Sequence, residues 1–213
     1  MSTEPKMNIY SVIIFNTKVT PNHPTVLGSA YDVSSVSWFQ QSTAKEVLLF
    51  ASRECAARTN PGQRQSIENQ EHLCHIYVTL QGLAVAVVAS ENYPQRAAFG
   101  LASAVINEFN QNFASTPATA HWETTKTDIS LGNLDAVLAV MLKKYQDPLE
   151  ADKLLKIQKD IDSTRDVLIQ TMEKLLDRGD ALSDLAAKSD DLSLHSKIFL
   201  DRSTALNSCC VIL

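Results

Sequence analysis

The chain of 213 residues has no apolar run long enough to cross a bilayer; Leu83 to Ala89, which no other run exceeds, spans 7 residues, against about 20 for a transmembrane helix. Met1 to Lys6 is polar and leads straight into a strand pattern, so no secretory signal is expected. There are only 4 cysteines, two of them adjacent at the end of the chain (Cys55, Cys74, Cys209, Cys210), which does not suggest a disulfide framework. Asn-x-Ser/Thr acceptor sites are absent, and together these features predict a cytosolic chain. Glycine is scarce at 6 residues, and none forms a phosphate-binding loop. The Gly-x-Ser-x-Gly elbow and the His-Glu-x-x-His helix are missing too, which leaves no recognisable catalytic constellation. A net charge of −5 argues against nucleic acid as the main partner. His72-Leu73-Cys74-His75 could suggest a metal, but on a strand His72 and Cys74 face one side and His75 the other. With no second cluster to complete a tetrahedron, neither metal nor cofactor is predicted.

What the chain does contain, from about Met7 to Tyr145, reads as one α+β domain. Asn8 to Phe15 and Thr25 to Tyr31 are strand candidates around a turn at Asn22-His23-Pro24. Ser42 or Thr43 could cap a helix to about Arg58, with Val47, Phe50, Ala51 and Cys55 on its buried side. His72 to Leu80 and Leu83 to Ser90 read as a hairpin around Gln81-Gly82. Pro94 opens a helix through about Phe113, and Ile129 to Tyr145 reads as a third helix. The order predicts an antiparallel sheet flanked by helices. Asp147-Pro148-Leu149-Glu150 has the residue types of a sharp helix start. It divides the chain into a folded domain (1–147), a helical extension (148–207) and a tail (208–213).

The extension carries the strongest pattern. Leu154, Ile157, Ile161, Thr164, Leu168, Thr171, Leu175, Arg178, Leu182, Leu185, Ser189, Leu192, Ser196, Phe199, Ser203 and Leu206 alternate spacings of three and four throughout. This is the seam of a coiled coil, about 80 Å long if helical throughout. One such helix cannot bury its own stripe and must find partners. Arg178 sits in phase at the centre of the seam, where its guanidinium needs acceptors from partner chains in the same layer. A second apolar stripe (Leu155, Ile169, Met172, Leu176) would be an exposed patch on a bare helix. It predicts that the first domain folds back to cover part of both stripes, with Phe50 at the contact or as a plain core residue.

Cys210-Val211-Ile212-Leu213 is a Cys-aliphatic-aliphatic-X signal for prenylation, and Leu213 favours geranylgeranyl. Cys209 is placed to take a second lipid, which stable anchoring requires. Between Asp201 and Ser208 only Arg202 is basic, so electrostatic help at an anionic surface is scarce.

These residues together resemble a known family. Glu173 to Asp180, centred on Arg178, resembles an R-SNARE motif. Tyr31-Asp32-Val33-Ser34-Ser35 and Tyr93-Pro94-Gln95-Arg96 resemble a longin domain, and Asn207-Ser208-Cys209-Cys210 is similar to the tail of the Ykt-type lipid-anchored longin SNAREs. The resemblance implies a profilin-like longin fold followed by a long coiled-coil helix. It implies an ionic layer in which Arg178 meets three glutamines from Q-SNARE helices, with disassembly and tethering machinery as further partners. It also implies traffic roles at Golgi, endosomal, vacuolar and ER-derived membranes, and a restraint on the SNARE segment by an apolar residue of the first longin helix, a position Phe50 occupies. Two rival readings remain. One is a coiled-coil tether without fusion activity. The other is acyl transfer aided by the longin domain, for which Cys55 or Cys74 would be the only plausible carriers and neither has an evident activating group.

Overall fold

The structure, a computed structural model, describes residues 7–114, 122–129, 131, 133–147, 151, 167–176 and 181–208, with side chains as far as 202. Strands β1 (Ile9–Asn16), β2 (Thr25–Tyr31), β3 (Arg64–Asn69), β4 (His72–Val78), β5 (Leu83–Ser90) and β6 (Val167–Thr171) form one sheet in the order β2-β1-β5-β4-β3-β6. The first five pair antiparallel; β6, from the C-terminal segment, pairs parallel to β3 at the edge. Helices α1 (Gln41–Ala57), α2 (Gln95–Asn112) and α3 (Leu134–Tyr145) flank it, and the C-terminal segment adds α4 (Met172–Leu175), α5 (Leu182–Lys188) and α6 (Leu194–Ser208).

The sheet is covered on both faces, which explains its apolar central strand. In β5, Leu83, Val85, Val87 and Ala89 join the core under α2 and α3, while Ala84, Ala86 and Val88 join the core under α1 and the C-terminal segment. Alternate side chains of a strand point to opposite faces, so the uninterrupted run of Leu83 to Ala89 is what two covered faces require. The outer edge of β2 is closed by polar contacts. The Val26 amide donates to Asp128 Oδ1 (2.8 Å), the Ser29 amide donates to Asp135 Oδ1 (2.7 Å), and Val26 O accepts from the Ile129 amide (2.9 Å). This pairing explains why α3 starts at Leu134 rather than at Ile129, whose backbone lies along the strand instead.

Two further differences from the sequence reading have physical causes. β3 was not anticipated because Arg-Gln-Ser-Ile-Glu-Asn offers one apolar residue, Ile67, and no alternation; tertiary pairing with β4 on one side and β6 on the other decides its state. Among the described residues the long coiled-coil helix is not formed. Residues 167–171 are a strand, and the helices after it are short. Val167, Ile169 and Thr171 are β-branched and accept strand geometry readily, whereas a helix with an unpartnered seam is marginal in water. The break between α5 and α6 falls at Ser189-Asp190-Asp191, where the Asp191 amide donates to Ser189 Oγ (3.2 Å), a local bond that competes with the helix. Of the proposed hinge, Asp147 O accepts from the Ala151 amide (2.9 Å); Pro148 to Glu150 lie outside the described residues.

His75 carries a pH dependence. Its ring is fully buried under α2, edge-on to Phe99, with Nδ1 2.8 Å from Ser66 Oγ, and Nε2 has no partner. Burial lowers its pKa from 6.5 to about 4. A histidine held neutral in the folded state contributes fully above its unfolded pKa, and the contribution is lost as pH falls from about 6.5 towards 4. At about 1.4 kcal/mol per unit this amounts to about 3 kcal/mol at the acid end. Chemical denaturation from pH 7 to pH 4.5 should show this loss, and His75→Phe should flatten it.

Candidate functional site: the face where the C-terminal segment folds back

The C-terminal segment lies on α1 and on the β3 edge. Pairing runs from Arg64 opposite Val167 to Glu68 opposite Thr171. The Gln170 side-chain amide donates to Gln65 Oε1 (2.5 Å) across the same edge. Beyond the strand, Met172, Leu176, Leu182, Ala186, Leu192 and Leu200 are buried in the same cluster as Phe50, Cys55 and Ile67, with Leu175 and Leu185 packed against it half-buried. Phe50 is 4% exposed, and removing a comparably buried aromatic side chain costs about 3–5 kcal/mol.

Polar contacts fix the register of this apolar layer. Arg53, one turn after Phe50 on the same face of α1, is 3% exposed. Its guanidinium bonds Asp191 of the C-terminal segment (2.7 Å) and Asp128 of the loop before α3 (2.5 Å). Asp191 also lies 3.4 Å from His23 Nε2. Farther toward the start of α1, Glu46 Oε2 accepts from the Ser193 amide (3.0 Å) and from Ser196 Oγ (2.7 Å), satisfying donors at the N-terminus of α6. Partial burial pushes the Glu46 carboxyl up, and the bonds from Ser193 and Ser196 outweigh that, leaving it below the usual range. The cap is therefore fully present above the ordinary carboxylate pKa and lost as pH falls through the lowered one. A cleft of about 390 Å³ remains between the two parts, bordered by Phe50 and Glu54 on one side and by Leu185, Lys188 and Asp190 on the other.

The seam residues divide. Leu182 and Leu192 are buried in the cluster under α1, and Leu175 and Leu185 half-buried. Leu168 is 54% exposed and Phe199 is 42% exposed, so this packing leaves them outside. Of the second stripe Met172 and Leu176 are buried, but Ile169 is 64% exposed: pairing as a strand turns it out of the contact. Leu206 belongs to α6, and its side chain lies outside the described residues, as do Leu154, Leu155, Ile157, Ile161, Arg178, Cys209 and Cys210. Sequence reasoning missed Arg53, Glu46, Asp128 and Asp191. The signal available was a charged residue, Arg53, at helical spacing from the apolar positions Phe50 and Ala56 of the buried side of α1.

Cys55 and Cys74 are free and buried. A hydrogen bond with Cys74, and then burial, push the Cys55 thiol well above its ordinary value, the opposite of what a nucleophilic acyl carrier needs. His72 is exposed while Cys74 and His75 are buried on opposite faces. Among the described residues no group of three His, Cys, Asp or Glu could hold a metal ion, and no helix is long and apolar enough to cross a membrane.

Residues 33–131 match the Longin family, described as a regulated-SNARE-like domain, and residues 153–212 match the Synaptobrevin family. The chain is similar to "Synaptobrevin homolog ykt6" of Schizosaccharomyces pombe, 38% identical over 97% of this chain and 100% of the relative. It is similar to "VAMP-like protein YKT61" of Arabidopsis thaliana, 37% identical over 97% of this chain and 100% of the relative. "Putative synaptobrevin homolog YKT6" of Dictyostelium discoideum is 39% identical over 96% of this chain and 98% of the relative. These are names of SNARE proteins, which assemble rather than catalyse. A five-stranded antiparallel longin sheet, a C-terminal segment with a coiled-coil seam folded onto it, and full-length similarity to such proteins lead to one conclusion: the chain belongs to the Ykt6 family of longin-domain, synaptobrevin-like SNAREs and has a SNARE role in vesicle trafficking.

Proposed function

We propose that the chain is a lipid-anchored R-SNARE that zippers with three Q-SNARE helices to drive vesicle-membrane fusion, and that its own longin domain holds it inactive beforehand. The observation that carries this reading is the double use of one segment. Leu182 and Leu192 are coiled-coil layers in the sequence and buried contacts of α1 in the structure, and residues 167–171 cannot pair with β3 and form a helical layer at once. Release from the longin face is therefore a precondition of zippering. Each layer side chain that becomes well buried contributes on the order of 1.5–3 kcal/mol, so a full bundle supplies tens of kcal/mol before ordering costs. Zippering towards Leu206 draws the lipid-bearing end, prenylated at Cys210 with a second lipid at Cys209, to the opposing membrane. The membranes served are the cytosolic faces of Golgi, endosomal, vacuolar and ER-derived compartments, with a closed cytoplasmic pool in exchange.

Arg178 is the residue that separates this reading from a passive tether. In a four-helix layer its guanidinium meets three glutamine acceptors, and its removal leaves them buried and unpaired at about 1–3 kcal/mol each. Arg178→Gln should therefore weaken or misregister the complex in a vesicle-fusion assay with purified Q-SNAREs, and Gln→Arg in one partner should restore it. A double mutant no better than the single one would remove Arg178 from a shared layer.

A further inference from the structure

The largest exposed apolar side chains of the longin domain are neighbours. Trp38 is 84% exposed and Phe39 66% exposed, in the single 3-10 turn before α1. Their rings pack edge to face at 6.0 Å and share no cluster with the core. Large aromatic surface is costly in water, and among the described residues no buried cluster includes this pair.

Two observations select its partner. The first is direction. Along the C-terminal segment, Asp191 bonds Arg53 while Ser193 and Ser196 bond Glu46, so the chain runs antiparallel to α1 and heads for the end of α1 that Trp38 and Phe39 precede. α6 continues to Ser208, 12 residues past Ser196, while only 5 residues separate Glu46 from Gln41. At 1.5 Å per residue that is about 18 Å against about 8 Å, so α6 carries the chain end past the aromatic turn. The sequence then continues for 5 residues, including Cys209 and Cys210. The second is charge. No carboxylate occurs between Asp32 and Glu46, and the one charged side chain in that stretch is Lys45, in a chain whose net charge is −5. Exposed aromatics with no carboxylate in their own stretch of chain suit the interface of a phospholipid bilayer, where amphipathic rings settle at headgroup level.

We infer that Trp38 and Phe39 form a membrane-docking element, which inserts into the bilayer interface beside the chain end while the C-terminal segment is still folded on the longin domain. The closed protein then touches the membrane at two points, the tail and the aromatic turn. Docking by the turn is apolar and needs no anionic lipid, in keeping with the single basic residue, Arg202, between Asp201 and Ser208. This goes beyond the fusion reading and does not depend on which lipid the tail carries.

The test uses the full chain without a biological lipid, coupled through Cys209 and Cys210 to vesicles of phosphatidylcholine containing a maleimide headgroup lipid; Cys55 and Cys74 are buried. The chain has 2 tryptophans, and Trp122 is 6% exposed, so Trp38 reports the surface. Its emission should move to the blue, be quenched by brominated acyl chains, and keep both properties in 1 M salt. The variant Phe39→Ser, which keeps the Trp38 reporter, should couple equally but show a smaller shift and weaker quenching; the variant Trp38→Ser with Phe39→Ser, which has lost the reporter, is read by partitioning. Uncoupled, it should partition into vesicles at least about tenfold more weakly than the unsubstituted chain, because a well-buried large side chain contributes on the order of 1.5–3 kcal/mol. Emission that stays unshifted and unquenched on coupled vesicles overturns the inference. So does a shift that appears only on attaching a lipid without vesicles, which would mean the turn covers the protein's own tail, or only on adding Q-SNAREs, which would make it a protein contact. Absence of a prenyl group on Cys210 would instead appear as a missing mass and would leave the Trp38 readout unchanged.

Discussion

Phe50→Glu is expected to detach the C-terminal segment from the longin domain. A carboxylate cannot stay buried and unpaired among Met172, Leu176, Leu182 and Leu192. Loss of the aromatic contact alone costs about 3–5 kcal/mol, enough to shift a two-state equilibrium by at least a hundredfold. The open variant should be cut by protease across residues 167–208 at concentrations that spare the unsubstituted chain, and small-angle scattering should show a larger radius. It should also assemble with Q-SNAREs faster. Phe50 shares its cluster with Cys55 and Ile67 of the longin domain, so Leu192→Glu serves as the matching change made from the other side of the contact. Both variants should open while the longin domain keeps its own cooperative unfolding. Digestion patterns identical to those of the unsubstituted chain would place the restraint elsewhere. Asp191→Asn, which weakens the bond to Arg53 without touching the apolar layer, should lie between the two extremes.

Cys210→Ser is expected to leave the protein wholly in the cytosolic fraction, because Cys210 is the one cysteine in position for the prenylation signal. Cys209→Ser should instead bind weakly and reversibly. A single acyl-length chain gives an association constant of only about 10⁴ M⁻¹, and stable anchoring takes two signals. With Arg202 alone between Asp201 and Ser208, no polybasic segment can replace the second lipid at about 1 kcal/mol per basic residue. Fractionation of cells expressing each variant distinguishes these outcomes. Firm membrane association of Cys210→Ser would contradict the account of the tail.

Much of the longin fold was legible because its signals are local. Ile9 to Asn16 and Leu83 to Ser90 are apolar enough to stand as central strands, and α1 and α2 carry apolar residues at helical spacing. β3 was hidden because its strand state depends on neighbours on both sides rather than on its own residues. The C-terminal segment shows a different kind of gap. Its heptad spacing encodes a helix that needs partners, whereas the lone chain satisfies Val167 to Thr171 at the β3 edge and buries Leu182 and Leu192 under α1. On the proposed function one stretch of sequence carries two structures, and the seam announces only the assembled one. The second stripe gave a hint of the other: Met172 and Leu176 are buried, while Ile169 points out once the residues around it pair as a strand. Phe50 could be singled out only through the resemblance to the longin SNAREs, since Val47, Ala51 and Cys55 share its side of α1. The bonds from Arg53 and Glu46 could not, since their partners Asp191, Ser193 and Ser196 lie about 140 to 150 residues away in the chain.

The central claim is that the β3-paired segment must leave before the SNARE complex forms, and a reversible covalent lock tests it most directly. Glu68 on β3 and Thr171 on β6 face each other in register. Glu68→Cys with Thr171→Cys, in a chain whose Cys209 and Cys210 are replaced by serine, should form a disulfide on mild oxidation. The oxidised protein should fail to form a complex with the three Q-SNARE helices, as read by size-exclusion chromatography and by resistance of the bundle to detergent, and reduction should restore assembly. Full assembly by the oxidised protein would contradict the account, since it would show that the segment can zipper while still pinned to the longin sheet.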